Sequence, residues 1–191
     1  MIPSFERVFG RLLRPIRGHD ADLLCNDPRL AVAAGTMQLT SPAFAEGGDI
    51  PSRYAGRGVG ENVSPPLAWS GVPAETVELV LVMQDPDAPL PRPVTHLVAT
   101  DIAVDSEGVE EGMLRPETNP QIAFLPGSLG RIGYEGPRPI RGHGPHRYVF
   151  QLFALARVLP ALDDVMLPEL ASGMAGWVLA RAVLTGIFEL I

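Results

Sequence analysis

The sequence predicts an antiparallel α+β fold, with strands filling the middle of the chain and helices at its two ends. Three observations predict it. Apolar residues recur at helical spacing in residues 4–16 and again in residues 167–184. Between them the pattern changes to alternation, or to short continuous apolar runs rich in β-branched residues and bracketed by Pro and Gly. Those runs do not alternate with helical segments, so a parallel βαβ sheet is not expected.

In residues 4–16, Phe5, Val8, Phe9, Leu12, Leu13 and Ile16 form one helical stripe, with Arg7, Arg11 and Arg14 on the remaining positions. Ser4 suits the N-cap and Pro15 ends the helix. Such a stripe is expected to bury Phe5, Phe9, Leu12 and Leu13 against its own domain or a second subunit. A basic membrane-surface helix is the sharper alternative. Residues 18–28 are polar and read as a linker.

Thr36 to Thr40 alternates like a half-buried strand. Pro65-Pro66 and Gly71-Val72-Pro73 bracket a short strand at Leu67 to Ser70. Thr76 to Gln84 contains Val77, Leu79, Val80, Leu81, Val82 and Met83, the signature of a central strand covered on both faces. Val94 to Ile102 and His146 to Leu155 read as further long strands. Leu167 to Leu184 reads as a helix, with Pro168 in its first turn and Gly186 at its stop. Residues 187–191 could add a last short strand.

A chain of 191 residues with 46% hydrophobic content fits one domain with a real core. The net charge of -7 argues against general nucleic-acid binding and against adhesion of the whole surface to anionic membranes. The single cysteine, Cys25, cannot form an internal disulfide, so a reducing cytoplasm is the default. No signal peptide is visible, and no apolar run approaches the ~20 residues of a spanning helix.

Chemistry concentrates in two segments. The first is Asp85-Pro86-Asp87-Ala88-Pro89 with His96. The second is Gly142-His143-Gly144-Pro145-His146-Arg147-Tyr148, and three of the four histidines lie in the two segments. Strand parity points His146 and Tyr148 the same way and Arg147 the other way. Arg147 then suits an ion pair with a carboxylate. His96 shares a face with Val94 and Val98, and so looks into apolar surroundings. His143, between glycines, reads as a loop residue. The plainer reading of Asp85 and Asp87 is an Asp-turn capping nearby N–H groups.

Other chemistries fit less well. A metal could be imagined on His96, His143, His146 and the aspartates, but the His-x-x-His pair sits in a Gly-Pro loop and no cysteine joins it. Pro126-Gly127-Ser128-Leu129-Gly130 lacks the glycine two residues before serine that a nucleophile elbow needs. Gly130, Gly133 and Gly136 match neither dinucleotide nor P-loop spacing. An acid–base hydrolase using Asp85 and His146 remains the alternative to a binding module.

The two segments, together with Asn62-Val63-Ser64-Pro65-Pro66-Leu67 and Trp69-Ser70-Gly71-Val72-Pro73, resemble the phosphatidylethanolamine-binding protein family, in particular its bacterial Raf-kinase-inhibitor-like branch. The resemblance spans roughly residues 36–191, which divides the chain into an N-terminal helix and linker, 1–35, and a family domain, 36–191. It implies an antiparallel Greek-key β-sandwich with flanking helices. It implies a ligand pocket formed by Asp85, Asp87, Pro89, His96, Gly136, Pro139, His146 and Tyr148, with a cis peptide before Pro89. The implied ligands are small anions such as phosphate, acetate or a phospholipid head-group like phosphoethanolamine. The implied role is binding, with a kinase or protease as protein target, and neither catalysis nor a cofactor. Where family members often carry aromatic residues around the pocket histidine, this chain has Val94 and Leu97. A homodimer through the N-terminal helix is the expected assembly.

Overall fold

The computed structural model describes residues 5–32, 37–128, 130–160 and 167–191. The expected N-cap Ser4 and the boundary between residues 35 and 36 lie outside them. The described chain is mostly β, with two sheets and two helices: α1 (Phe5–Leu13), β1 (Gln38–Thr40), β2 (Gly48–Asp49), β3 (Leu67–Ser70), β4 (Glu78–Asp85), β5 (Val94–Ile102), β6 (Gly108–Val109), β7 (Ala123–Leu125), β8 (His146–Leu155), α2 (Leu167–Met174) and β9 (Val178–Phe188). The small sheet runs β1-β3-β6 and the large one β2-β9-β8-β4-β5-β7. Neighbours are antiparallel except β2 and β9, which pair in parallel.

Every residue of β4 is buried, and its alternation explains why. Leu79, Leu81 and Met83 enter the layer between the sheets, where Leu39, Trp69, Phe150 and Leu152 meet them. Val80 and Val82 enter a second apolar layer on the outer face of the large sheet, with Val149, Phe153 and Leu155. A strand covered on both faces needs no polar positions, so its sequence runs continuously apolar.

That outer layer corrects the linker reading of residues 18–28. Three short 3-10 turns, Asp20–Asp22, Leu24–Asn26 and Pro28–Leu30, press Leu23, Leu24, Cys25 and Leu30 onto the sheet beside Leu170 and Met174 of α2. Gln84 and Gln151 lie on this face and hydrogen-bond to each other at 2.9 Å. Their side-chain oxygens accept the main-chain N–H groups of Leu24 and Cys25 at 2.8 and 2.6 Å. The polar letters of the segment hide an apolar inner edge.

The C-terminal helix is also corrected. α2 ends at Met174, Gly176 turns the chain at φ 78°, and Val178–Phe188 is a strand antiparallel to β8. The alternation places Ala180, Ala182, Leu184 and Phe188 inside. Spacings of four residues are common to a helix face and a strand face, and small inward alanines weaken the period-two signal. Gly186 is no helix stop. A β-carbon there would run into Ile50 and Phe44, so the residue is small to let them pack.

α1 departs most from expectation. Its apolar stripe faces outward, with Phe5 85% and Leu12 73% exposed and Val8, Phe9 and Ile16 also exposed. The helix docks instead through Gly10, its one buried residue, against the main-chain carbonyl of Arg141. Arg14 Nε donates to the Gly142 carbonyl at 2.9 Å and Arg7 Nη2 to the Ile191 carbonyl at 3.3 Å. Phe5 and Leu12 are therefore not buried against the chain's own domain, and only the inner edge of the stripe, Leu13 and part of Phe9, meets it. The helix uses its glycine and arginines because main-chain groups of Arg141, Gly142 and Ile191 lie beneath it.

Candidate functional site

Three strand ends gather at one end of the large sheet. β4 finishes at Asp85, β5 starts opposite it at Val94, and β8 starts at His146 and runs back along β4. Parity sends His146, Tyr148 and Phe150 into the layer between the sheets. A cavity of about 520 Å³ opens there. Of the residues expected in the pocket, Asp85, Pro89, His96, Gly136, Pro139, His146 and Tyr148 line it.

Asp87 does not line it. It is buried on the far side of the turn, where its Oδ2 accepts the Arg147 main-chain N–H at 3.0 Å and Arg147 Nε at 2.8 Å. Its Oδ1 accepts Arg147 Nη2 at 2.9 Å, and Arg17 approaches at 3.5 Å. Burial alone would push this carboxyl up, but the Arg147 hydrogen bonds outweigh it and hold the group well below the usual carboxylate range. Arg147 also pairs with Asp20 at 2.7 Å. Asp85 and Asp87 part company because β4 ends at Asp85 and a turn begins, so strand parity stops applying between them. The peptide before Pro89 is trans, which corrects the expected cis bond: Leu90 N–H closes a tight turn onto the Ala88 carbonyl at 2.8 Å around it. That three-residue turn asks of its centre the φ that proline already has.

The buried imidazoles form a chain. Asp85 Oδ2 lies 2.7 Å from His146 Nδ1, His146 Nε2 lies 2.7 Å from His143 Nδ1, and His143 Nε2 lies 3.0 Å from the Leu13 carbonyl. Asp85 Oδ1 accepts the Asp87 N–H at 2.8 Å. His143, read from sequence as a loop residue, is fully buried and holds His146 in place. Burial, reinforced by the neighbouring His146, pushes the His143 pKa down.

His96 stands apart from that chain. Its Nδ1 lies 2.9 Å from the Glu135 carbonyl, and its ring meets Tyr148 edge to face with centroids 5.3 Å apart. Burial drives its pKa down, against the pull of Asp85. Burial likewise raises the Tyr148 phenol, further raised by Asp85, with a main-chain contact from Arg138 pulling the other way. Both groups are neutral at pH 7. Gly136 takes its place because a β-carbon would strike the Tyr54 carbonyl and Gly56, and its N–H is held by Asn62 Oδ1 at 2.7 Å.

Sequence reasoning missed several contributors, three of which matter most here. Phe9 and Leu13 of α1 form part of the cavity wall, and Arg57 reaches it from a distant loop. Arg57 and Arg138 make no ion pair among the described residues, whereas Arg131 pairs with Glu135 at 2.6 Å. The one available signal was Gly10: a glycine inside a helix costs stability and marks a close approach. No cluster among the described residues could hold a metal ion, and no described helix is long and apolar enough to cross a membrane.

Known proteins share this fold. A family model described as phosphatidylethanolamine-binding protein matches residues 40–189. A UPF0098 protein of Methanothermobacter thermautotrophicus is 42% identical over 160 residues, covering 80% of this chain and 99% of its own length. Among solved structures, CT736 of Chlamydia trachomatis, a proposed homologue of the same family, superposes with a TM-score of 0.73 at 33% identity, covering 83% of this chain and all of that one. Escherichia coli YbcL, described as a new member of the mammalian family, gives 0.72 at 25% identity, covering 81% and 99%. The family match begins after α1.

Proposed function

Because this chain belongs to the phosphatidylethanolamine-binding protein family, we propose that it is a binding or regulatory protein whose cavity takes a small anion: phosphate, acetate or a phospho-head-group such as phosphoethanolamine. One observation carries the choice of binding over catalysis. Both ring nitrogens of His146 are engaged, Nδ1 by Asp85 and Nε2 by His143. A general base needs a free nitrogen directed at its substrate or at a nucleophile. The hydrolase reading, which rests on the Asp85–His146 pair, has none to use.

The anion reading draws support from Arg57 and Arg138 at the cavity and from the Tyr148 hydroxyl inside it. About 520 Å³ is ample for a head-group and lies in the usual range of small-molecule sites. Family membership is the sole support for a protein target, which we propose to be a kinase or a protease in the cytoplasm.

The test is calorimetric titration with phosphate, acetate and phosphoethanolamine, for the native chain and for Arg57→Ala with Arg138→Ala. Saturable binding that weakens in the double variant is the expected result. Binding unaffected by loss of both arginines would remove the anion from the cavity. Turnover of a phosphate or carboxylate ester abolished by His146→Gln would restore the hydrolase.

A further inference from the structure

Resting on that anion reading, we propose that the cavity selects an oxyanion that still carries a proton, a singly protonated phosphate monoester, and rejects a sulfate ester of the same shape. The argument is a count of protons.

The Leu13 carbonyl can only accept, so His143 Nε2 carries a hydrogen. The Nδ1 of a neutral His143 then accepts, and His146 Nε2–H donates to it. His146 Nδ1 and Asp85 Oδ2, 2.7 Å apart, share the remaining bond. Each hydrogen of the two rings is therefore committed to a bond inside the protein, and the remaining carboxylate oxygen facing His146 is taken up by that ring. Oδ1 of Asp85 is an acceptor as well, since it takes the Asp87 N–H. The chain has no hydrogen left to offer a ligand.

His96 reaches the same end by another route. Its Nδ1 faces the Glu135 carbonyl and must be the protonated nitrogen. Its Nε2 makes no hydrogen bond among the described residues, and the ring lines the cavity. The charged and titratable groups around it are Asp85, Glu135, His146 and Tyr148, with Arg57, Arg131 and Arg138 farther along the wall. Desolvation keeps the ring neutral, so Nε2 presents a lone pair.

The cavity thus pairs an acceptor, His96 Nε2, with a donor, the Tyr148 hydroxyl, and two guanidinium groups, Arg57 and Arg138, that make no ion pair among the described residues. A monoprotonated phosphate ester satisfies all of them: its P–O–H donates to Nε2 and its ionised oxygens accept from Tyr148, Arg57 and Arg138. A sulfate ester has the same tetrahedral shape and no proton near neutral pH. It would set an oxygen lone pair against a nitrogen lone pair, and a site built around a hydrogen bond discriminates strongly against a partner that cannot make it.

The experiment is calorimetry of the full chain between pH 5.5 and 8 with phosphoethanolamine and ethanolamine O-sulfate, and in parallel with inorganic phosphate and sulfate. At about pH 6 the phosphate ester should bind at least ~100-fold more tightly than the sulfate ester. Its affinity should fall about tenfold per pH unit above its own second pKa near 6. A phosphoethanolamine affinity above that of inorganic phosphate points to a head-group source, the reverse to free phosphate, and in each the sulfate partner must fail. His96→Gln, whose amide can turn to donate, should narrow the gap. Sulfate binding within threefold of phosphate, or strengthening in parallel as pH falls, means that a protonated His96 is the donor; it overturns this inference and leaves the anion pocket intact. Binding of none of the four overturns both.

Discussion

His143 Nε2 donates to the main-chain carbonyl of Leu13 at 3.0 Å, joining residues 130 apart in sequence. Through this bond the last turn of α1 is tied to the hydrogen-bond chain that ends on Asp85. A helix outside the family's common span thereby becomes part of the site, both as wall, through Phe9 and Leu13, and as anchor.

Replacing His143 with Ala leaves the Leu13 carbonyl and His146 Nε2 without partners. Leaving buried polar groups unsatisfied costs about 1–3 kcal/mol, which chemical denaturation should register. Amide exchange across residues 7–16 should quicken at the same time. Loss of stability with unchanged exchange in α1 would mean that the bond to Leu13 contributes nothing.

Gly10→Ala separates two opposite expectations. In a free helix alanine is the better residue by about 1 kcal/mol. Here the new β-carbon would meet the Arg141 carbonyl and the His143 main-chain nitrogen. The variant should therefore lose stability, by about 1–3 kcal/mol as overpacking does, and not gain it. A higher melting temperature would show that α1 does not rest on Arg141.

Asp87 sets an acid limit on stability. Its folded pKa lies below the unfolded value near 3.9, so its contribution is complete above that value and disappears as pH falls through the folded one. Asp87→Asn strands part of the Arg147 charge and should cost about 3 kcal/mol at pH 7. The gap between variant and native chain should narrow once pH falls below about 4. A gap that stays constant down to pH 2 would contradict the ion-pair role.

How much of this was legible depended on distance along the chain. β3, β5 and β8 could be bounded to the residue: Pro66 and Gly71 bracket β3, and Pro93 and Pro145 mark the starts of β5 and β8. Seven of the eight residues implied by the resemblance line one cavity; strand alternation accounts for His146 and Tyr148, whereas Pro89, Gly136 and Pro139 reach it from loops that only the resemblance pointed to. What the sequence concealed was set by remote partners. Asp87 turned toward Arg147, 60 residues away; His143 found Leu13; and Gly10 met Arg141. β9 was concealed for a different reason, since Ala180 and Ala182 are too small to advertise an inward face.

The outward stripe of α1 gives the proposed homodimer a direct test. Phe5, Val8, Phe9 and Leu12 form an exposed apolar face that a second copy would cover. Phe5→Glu with Leu12→Glu should shift sedimentation from dimer to monomer. Because both side chains are solvent-exposed, the monomer's stability should change by no more than about 0.5 kcal/mol. A native chain that sediments as a monomer at high concentration would reject this interface.

The paired amides of Gln84 and Gln151 have a consequence for severed chains. They hold the N–H groups of Leu24 and Cys25 from beneath, and Leu23, Leu24 and Leu30 seal the apolar layer around them. Cleavage of the backbone after Ala31 would break connectivity without breaking that seal. The two fragments would migrate as one particle under native conditions and separate only in denaturant, because the residues preceding the family span are lodged in the wall of the fold.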